Sequence, residues 1–296
     1  MRVLRRSAAT LVAACLTAAG AALAAPAPRQ TTGSGQASTT PPPSAAANAY
    51  LDAVRRGDLP AIERAIAGGV DVDTPFRYDR RALSFAADRG QADVVRLLLA
   101  KGAKVDLEDT YYHQTALAWA SSPAQTRKPE HAQVVKLLLE KGAKGADRVV
   151  AAAIDADDVA MLQVVLDDGH VPASFLAESL AAAKKDNKTA AVAALEKAGV
   201  TMPVVATLTA AQLARCAGTY KSEAGGSVTI TVKDGVASAT FGGPPITLSP
   251  RSETLFAAEG RPGTTAIFAF VGETATTVTA VSPFGGTTVF TRVSQP

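Results

Sequence analysis

Cysteine, histidine and surplus charge are all scarce in this chain. Of 296 residues, only Cys15 and Cys216 are cysteine and only His113, His131 and His170 are histidine. Two thiols cannot build a disulfide-stapled scaffold. The histidines read as residues of separate loops, and none has a His, Cys, Asp or Glu partner at metal-ligand spacing, so no metal site is expected. Nucleophile motifs of the S-x-x-K and G-x-S-x-G kinds are missing. Glycine pairs stand at Gly225-Gly226, Gly242-Gly243 and Gly285-Gly286, but each lies between strand-like segments, where it makes a turn and not a phosphate cradle. With no acid, base or nucleophile set to name, no catalytic residue and no cofactor is expected, and the chain reads as a non-enzyme. The 30 basic and 27 acidic residues differ by three, and Arg2, Arg5 and Arg6 account for the difference. The remainder is neutral, which argues against a nucleic-acid partner.

Those three arginines precede an apolar stretch from Ala8 to Ala21, and Ala22-Leu23-Ala24 forms a small-x-small cleavage site. Residues 1–24 therefore read as a secretory signal peptide, with a periplasmic mature chain that has no membrane span. Two alternatives stay open. A transmembrane helix would have to include Thr10, Thr17 and Gly20 and stop at prolines. A lipid anchor at Cys15 is suggested by Val12-Ala13-Ala14-Cys15, which resembles the bacterial lipobox, although the apolar run continues beyond it. After cleavage Cys216 alone remains, so no intramolecular disulfide is possible, and Cys216 is expected to be a small buried residue. Residues 25–46 are rich in Pro, Ser, Thr and Gly without apolar period and read as a disordered linker.

From residue 47 a period emerges. Ala82-Leu83 and Ala116-Leu117 are 34 residues apart, while Gly57 and Gly90, Gly69 and Gly102, and Asp73 and Asp106 are each 33 apart. The unit R-A-L-S-F-A (Arg81 to Ala86) returns as T-A-L-A-W-A (Thr115 to Ala120). V-V-x-L-L-L-x-K-G-A runs from Val94 to Ala103 and again from Val134 to Ala143. This pattern resembles the ankyrin repeat, whose inner-helix signature is T-P-L-H-x-A. Alanines at 86 and 87 let paired helices approach, Leu97, Leu98 and Leu99 fill the space between repeats, and Gly102 and Gly142 take the left-handed position after a helix. The resemblance implies an α-solenoid over residues 47–203, about five units long. The first unit is a cap, with Tyr50, Ala53 and Val54 on its inner helix and Ile62 and Ile66 on its outer. The third carries an insertion within Ser121–His131, and the last two are degenerate, their glycines (142, 169, 199) standing 27 and 30 residues apart.

After Pro203 the period falls to two. Val228, Ile230 and Val232 alternate with Thr229, Thr231 and Lys233, and Asp234-Gly235 turns the chain into Val236–Phe241. Further strands are read at 246–249, 254–257, 265–270, 277–281 and 287–292. Seven or eight short strands over residues 208–296 predict a small antiparallel β-barrel or sandwich, which makes the chain a multidomain α plus β protein. The segment from Leu208 through Gly218 and Tyr220, with the ending T-T-V-F-T-R-V, resembles the lipocalin-like domain appended to some bacterial β-lactamase-like serine hydrolases. Cys216 stands where that pattern has a tyrosine, and the hydrolase motifs themselves are missing. The whole is thus similar to an exported bacterial ankyrin-repeat protein.

Aromatic residues are few, 15 in all, yet six fall between Phe76 and Trp119. Tyr78 and Tyr112, and Phe85 and Trp119, are each 34 apart, which predicts two stacked pairs in adjacent repeats. With Tyr111, Arg77, Arg80, Arg81 and His113 nearby, the cluster has the Trp, Tyr and Arg composition of a partner-binding hot spot, with the arginines at its rim. Packing of Phe85 and Trp119 as ordinary core between repeats is the competing reading. The resemblance implies a monomeric scaffold that binds an envelope protein through its concave groove and fingers. The alternative is a small-ligand or envelope-polymer binder that uses the C-terminal β-domain.

Overall fold

The computed structural model describes residues 44–122, 129–283 and 286–293, and these divide into two compact units. The signal segment, Cys15 and the linker up to residue 43 lie outside the described residues, as does most of the insertion in the third repeat. The first unit comprises 44–171 with Lys188–Ala198, and the second Pro172–Asn187 with 199–293. No helix among the described residues is long and apolar enough to cross a membrane.

The first unit is built from helix pairs: α1 Ala45–Arg56 and α2 Leu59–Ala67, α3 Ala82–Asp88 and α4 Ala92–Ala100, α5 Ala116–Ser121 and α6 Pro129–Glu140, α7 Ala146–Asp155 and α8 Val159–Asp168, and finally α10 Thr189–Lys197. These are the ankyrin-type helical repeats that the 33/34 period predicts. Helix α1 starts ahead of residue 47 because Ser44 caps it, its Oγ accepting from Ala47 N at 3.1 Å. The period puts small or branched apolar residues on facing sides. Tyr50, Val54, Ile62, Ala86, Val95, Leu98, Val135, Leu138 and Val165 are fully buried. Gly102 and Gly142 take φ of 88° and 79° after their helices, a region closed to residues with a Cβ except at a cost of about 1 kcal/mol.

The periodic aspartates stitch each repeat to the next. Asp73 accepts from Lys104 N at 3.2 Å, Asp106 from Lys144 N at 3.0 Å, and Asp157 from Ala191 N at 3.0 Å. Burial raises the Asp73 carboxyl above the usual carboxylate range, although the Lys104 N–H works the other way. His131 is not in a loop. Pro129 starts α6 early enough to place His131 in its first turn, where it is buried with Nε2 3.2 Å from Asp88 O.

The second unit holds α9 Ala173–Lys185, the short α11 Ala210–Ala214 and eight strands: β1 Gly218–Lys221, β2 Ser227–Lys233, β3 Val236–Thr240, β4 Ile246–Pro250, β5 Leu255–Ala258, β6 Thr265–Val271, β7 Thr274–Val281 and β8 Thr287–Arg292. Each pairs antiparallel with its sequence neighbour, and β1 pairs with β8, so the sheet is a closed barrel and not a sandwich. Asp234 (φ 52°) and Gly235 (φ 75°) make the expected tight turn between β2 and β3. Alternate side chains point inward, among them Tyr220, Ile230, Leu248, Phe256, Phe268 and Phe290. Among them lies an interior pocket of about 20 Å³, room for about one water.

The seam is the shortest joint. Strands β6 and β7 share seven paired positions, whereas among the described residues β1 and β8 pair Tyr220 with Arg292 and Lys221 with Thr291, and Val293 N donates to Thr219 O at 2.8 Å just beyond. Arg292 fastens it, donating to Tyr220 Oη at 3.3 Å and to the carbonyl oxygens of Ala217 and Arg215. Gly218, at φ 151°, leaves the space that the guanidinium occupies: a Cβ there would lie 3.0 Å from Arg292 Cζ.

Candidate functional site

The aromatic cluster is assembled by two fingers of the first unit. In the finger before α3, Phe76 is buried with its ring 6.4 Å from that of Tyr50 and 6.3 Å from that of Phe85. The chain must then reverse within a few residues, and Tyr78 (φ 60°) and Asp79 (φ 55°) do so in the left-handed region, rare for a tyrosine. Thr110 N, from the next finger, donates to Tyr78 O at 2.8 Å and holds the turn. The side chain of Tyr78 is thereby left 39% exposed.

In the finger before α5 the organising group is Asp109, only 2% exposed. Its Oδ1 accepts from Tyr111 N at 3.1 Å and Tyr112 N at 2.6 Å, and its Oδ2 from Trp119 Nε1 at 3.0 Å. The Asp109 backbone pairs with Gln114 O and His113 N at 3.1 Å each. One carboxylate thus fixes a loop and an indole together, and hydrogen bonds to a charged acceptor are worth about 1.5–3 kcal/mol each. The rings follow as a ladder. Tyr78 and Tyr111 are 4.8 Å apart, Tyr111 and Tyr112 4.6 Å, and Tyr112 and Trp119 5.4 Å, the last two edge to face. Tyr111 and Tyr112 are 50% and 56% exposed.

The period predicts Tyr78 on Tyr112 and Phe85 on Trp119, and the structure departs from both. Asp109 turns the loop so that Tyr111, not Tyr112, reaches Tyr78. Phe85 and Trp119 are separated by Arg80, whose Cζ lies 4.3 Å from one ring centroid and 3.8 Å from the other. Both rings are half-buried, as free neither as surface anchors nor as enclosed as core. Arg80 is consequently inside the cluster and not at its rim. Its Nη2 donates to Asp88 Oδ2 at 2.7 Å and Ser84 O at 3.2 Å. Arg81 is likewise turned inward, onto Asp79 O. Arg77 is exposed, with its guanidinium 4.6 Å from the Tyr78 ring and donating to Tyr78 Oη at 2.7 Å. His113 is exposed in left-handed backbone at φ 53°.

Three participants escape a reading of the sequence: Asp109, Asp88 and Arg55, whose Cζ lies 5.3 Å from the Phe85 ring. Asp109 had a visible signal, since an aspartate two and three residues before a Tyr-Tyr pair is placed for an Asx turn. The assembled surface offers flat apolar faces, phenol hydroxyls and the exposed guanidinium groups of Arg55 and Arg77. Among the described residues no group of three or more His, Cys, Asp or Glu is placed to hold a metal.

Residues 51–149 match the family model for ankyrin repeats, in three copies. Curated relatives include the ankyrin repeat, SAM and basic leucine zipper domain-containing protein 1 of Equus caballus, 35% identical over 91 residues. That alignment covers 31% of this chain and 18% of the relative. Myotrophin of Xenopus tropicalis is 41% identical over 51 residues, covering 17% of this chain and 43% of its own. The chain therefore spans less than half the length of either relative.

Proposed function

We propose that this is a non-enzymatic, exported protein that binds another protein of the cell envelope on the finger surface formed by Tyr78, Tyr111 and Tyr112, backed by Trp119, Phe85 and Arg80. The observation that carries the reading is the ring ladder. Three tyrosines stand between 39% and 56% exposed and in ring-to-ring contact, on backbone held by Asp109 at Tyr111 and Tyr112 and by Thr110 N at Tyr78. Rigid aromatic side chains supply contact area at small entropic cost, and pre-organised loops bind without a further ordering penalty. Repeat arrays present extended surfaces of this kind. Export is supported by the Arg-rich start and the Ala22-Leu23-Ala24 site, and mass spectrometry of the cell-derived protein tests it: an N-terminus near Ala25 is expected, and an intact Met1 overturns it.

Binding is tested by affinity capture from envelope extract with the wild-type chain, a Tyr111→Ala/Tyr112→Ala variant and a Lys136→Ala control on the outer helix α6. A partner retained by wild type and control and lost by the tyrosine variant supports the proposal. Identical capture by all three removes this surface from consideration.

A further inference from the structure

The finger surface is rich in hydrogen-bond donors and poor in acceptors. Tyr78 Oη already accepts from Arg77 Nη2, which leaves its own O–H to donate outward. The hydroxyls of Tyr111 and Tyr112 have no partner among the described residues. Arg77 is exposed and forms no ion pair among them, its guanidinium bonded to Tyr78 Oη. The acceptors are buried or engaged. Asp88 and Asp109 are buried, Asp79 lies 3.9 Å from Arg81, and the carbonyls of Phe76, Arg77, Tyr78 and Asp109 each receive a backbone N–H. Glu108 is the remaining carboxylate of the two fingers and is exposed in the second, so the unpaired positive charge of the surface lies in the first, at Arg77.

An occupant must supply acceptors here and bring few donors of its own, because donors covered without a partner cost free energy. A helix satisfies its backbone internally and leaves these hydroxyls unmet. A β-strand brings an N–H with every carbonyl and needs acceptors that the fingers have already used. A proline-rich segment in the polyproline II conformation has free carbonyls throughout and no N–H at any proline. Shape agrees with this. The rings of Tyr111 and Tyr112 cross at 79° and those of Tyr112 and Trp119 at 88°, so neighbouring rings enclose angular apolar recesses that a flat pyrrolidine can enter.

We propose that the partner segment bound on this surface is proline-rich with an adjoining acidic residue. Its pyrrolidine rings lie on Tyr78, Tyr111 and Tyr112, its carbonyls accept from their hydroxyls, and its carboxylate pairs with Arg77. Aromatic surfaces recognise such segments because polyproline II is formed before binding and little entropy is lost. The inference rests on the finger surface being the binding face.

Trp119 is the chain's one tryptophan, and its ring lies 5.4 Å from that of Tyr112, so its emission reports on the surface. The test is titration of the full chain, followed by that emission and by calorimetry. The probe is a capped peptide of alternating proline and alanine that ends in two glutamates. One comparison peptide has alanine at every proline, and another has glutamine at both glutamates. The probe is expected to saturate, the proline-free peptide to bind about tenfold more weakly or worse, and the glutamine peptide about threefold more weakly at low salt. Tyr112→Phe keeps the ring, removes one donor and should weaken the probe about three- to tenfold. Arg77→Gln, at an exposed position, should erase the difference between the glutamate and glutamine peptides. No saturable binding of the probe, or equal binding of the proline-free peptide, overturns the proposal. So does undiminished affinity in Tyr112→Phe, or a preference for glutamate that survives Arg77→Gln. If the peptides fail while Tyr111→Ala/Tyr112→Ala still loses a captured protein, this inference falls and the functional reading stands.

Discussion

The two units use aromatic rings in opposite ways. In the barrel, Tyr220, Phe256 and Phe268 are at most 2% exposed and meet edge to face, Phe256 and Phe268 at 5.2 Å and Tyr220 and Phe268 at 6.3 Å. In the fingers, Tyr111, Tyr112 and Trp119 adopt the same edge-to-face geometry at 4.6 and 5.4 Å, yet the tyrosines are half in solvent. Burial holds the first set. A carboxylate and the backbone hold the second. Ring order in the fingers is therefore maintained while Tyr78, Tyr111 and Tyr112 stay between 39% and 56% exposed.

Substitutions should separate these two kinds of support. Phe268→Ala removes a ring from the barrel core and should cost about 3–5 kcal/mol; hydrogen exchange should show lost protection in β5–β7 while α3–α6 keep theirs. Asp109→Ala leaves Trp119 Nε1 and two loop amides without their acceptor and should cost about 1–3 kcal/mol by denaturant unfolding. It should also weaken partner binding although Asp109 is buried beneath the tyrosines, and unchanged affinity would show that the ladder needs no brace. Tyr112→Ala should alter stability by no more than about 0.5–1 kcal/mol while costing about 2 kcal/mol of affinity. A large stability loss there would collapse the distinction between the two units.

The smallest effect belongs to Cys216 and is silent at neutral pH. Burial pushes its thiol up to about 11, against the pull of Arg215 and Arg292. Because the folded value lies above the ordinary 9.0, the stability it contributes is intact below pH 9.0 and is lost as pH rises through about 11. Unfolding midpoints of wild type and Cys216→Ala should run parallel up to about pH 9 and converge or cross above it. The same burial should leave the thiol unreactive toward alkylating reagents until the barrel unfolds.

The repeats were legible because each apolar position recurs in phase, so Ala86, Leu98 and Val135 announce their faces several times over. Seven strands were legible for the same reason at period two. Strand β1 was not, since among Gly218, Thr219, Tyr220 and Lys221 only the tyrosine is buried, and one apolar residue makes no alternation. The degenerate helix Ala173–Lys185 has helical period like its neighbours, and nothing in that period discloses that it groups with the barrel strands. Within the candidate site, composition pointed to a cluster whose rings the structure brings together, but its wiring depends on carboxylates. Asp88 and Asp109 lie 8 residues after Arg80 and 10 before Trp119, distances that carry no helical or strand signal. Treating the arginines as a rim failed for Arg80 because its acceptors, Asp88 and Ser84 O, lie inward.

The seam between β1 and β8 has the fewest paired positions of the barrel's joints among the described residues, which makes it the place where the sheet should open first. Opening there would turn the cylinder into a sheet with two unpaired edges, one the threonine-rich β8, and unpaired edges favour edge-to-edge growth between molecules. Closure of the sheet therefore draws, beside its backbone ladder, on a single guanidinium and on the glycine that makes room for it.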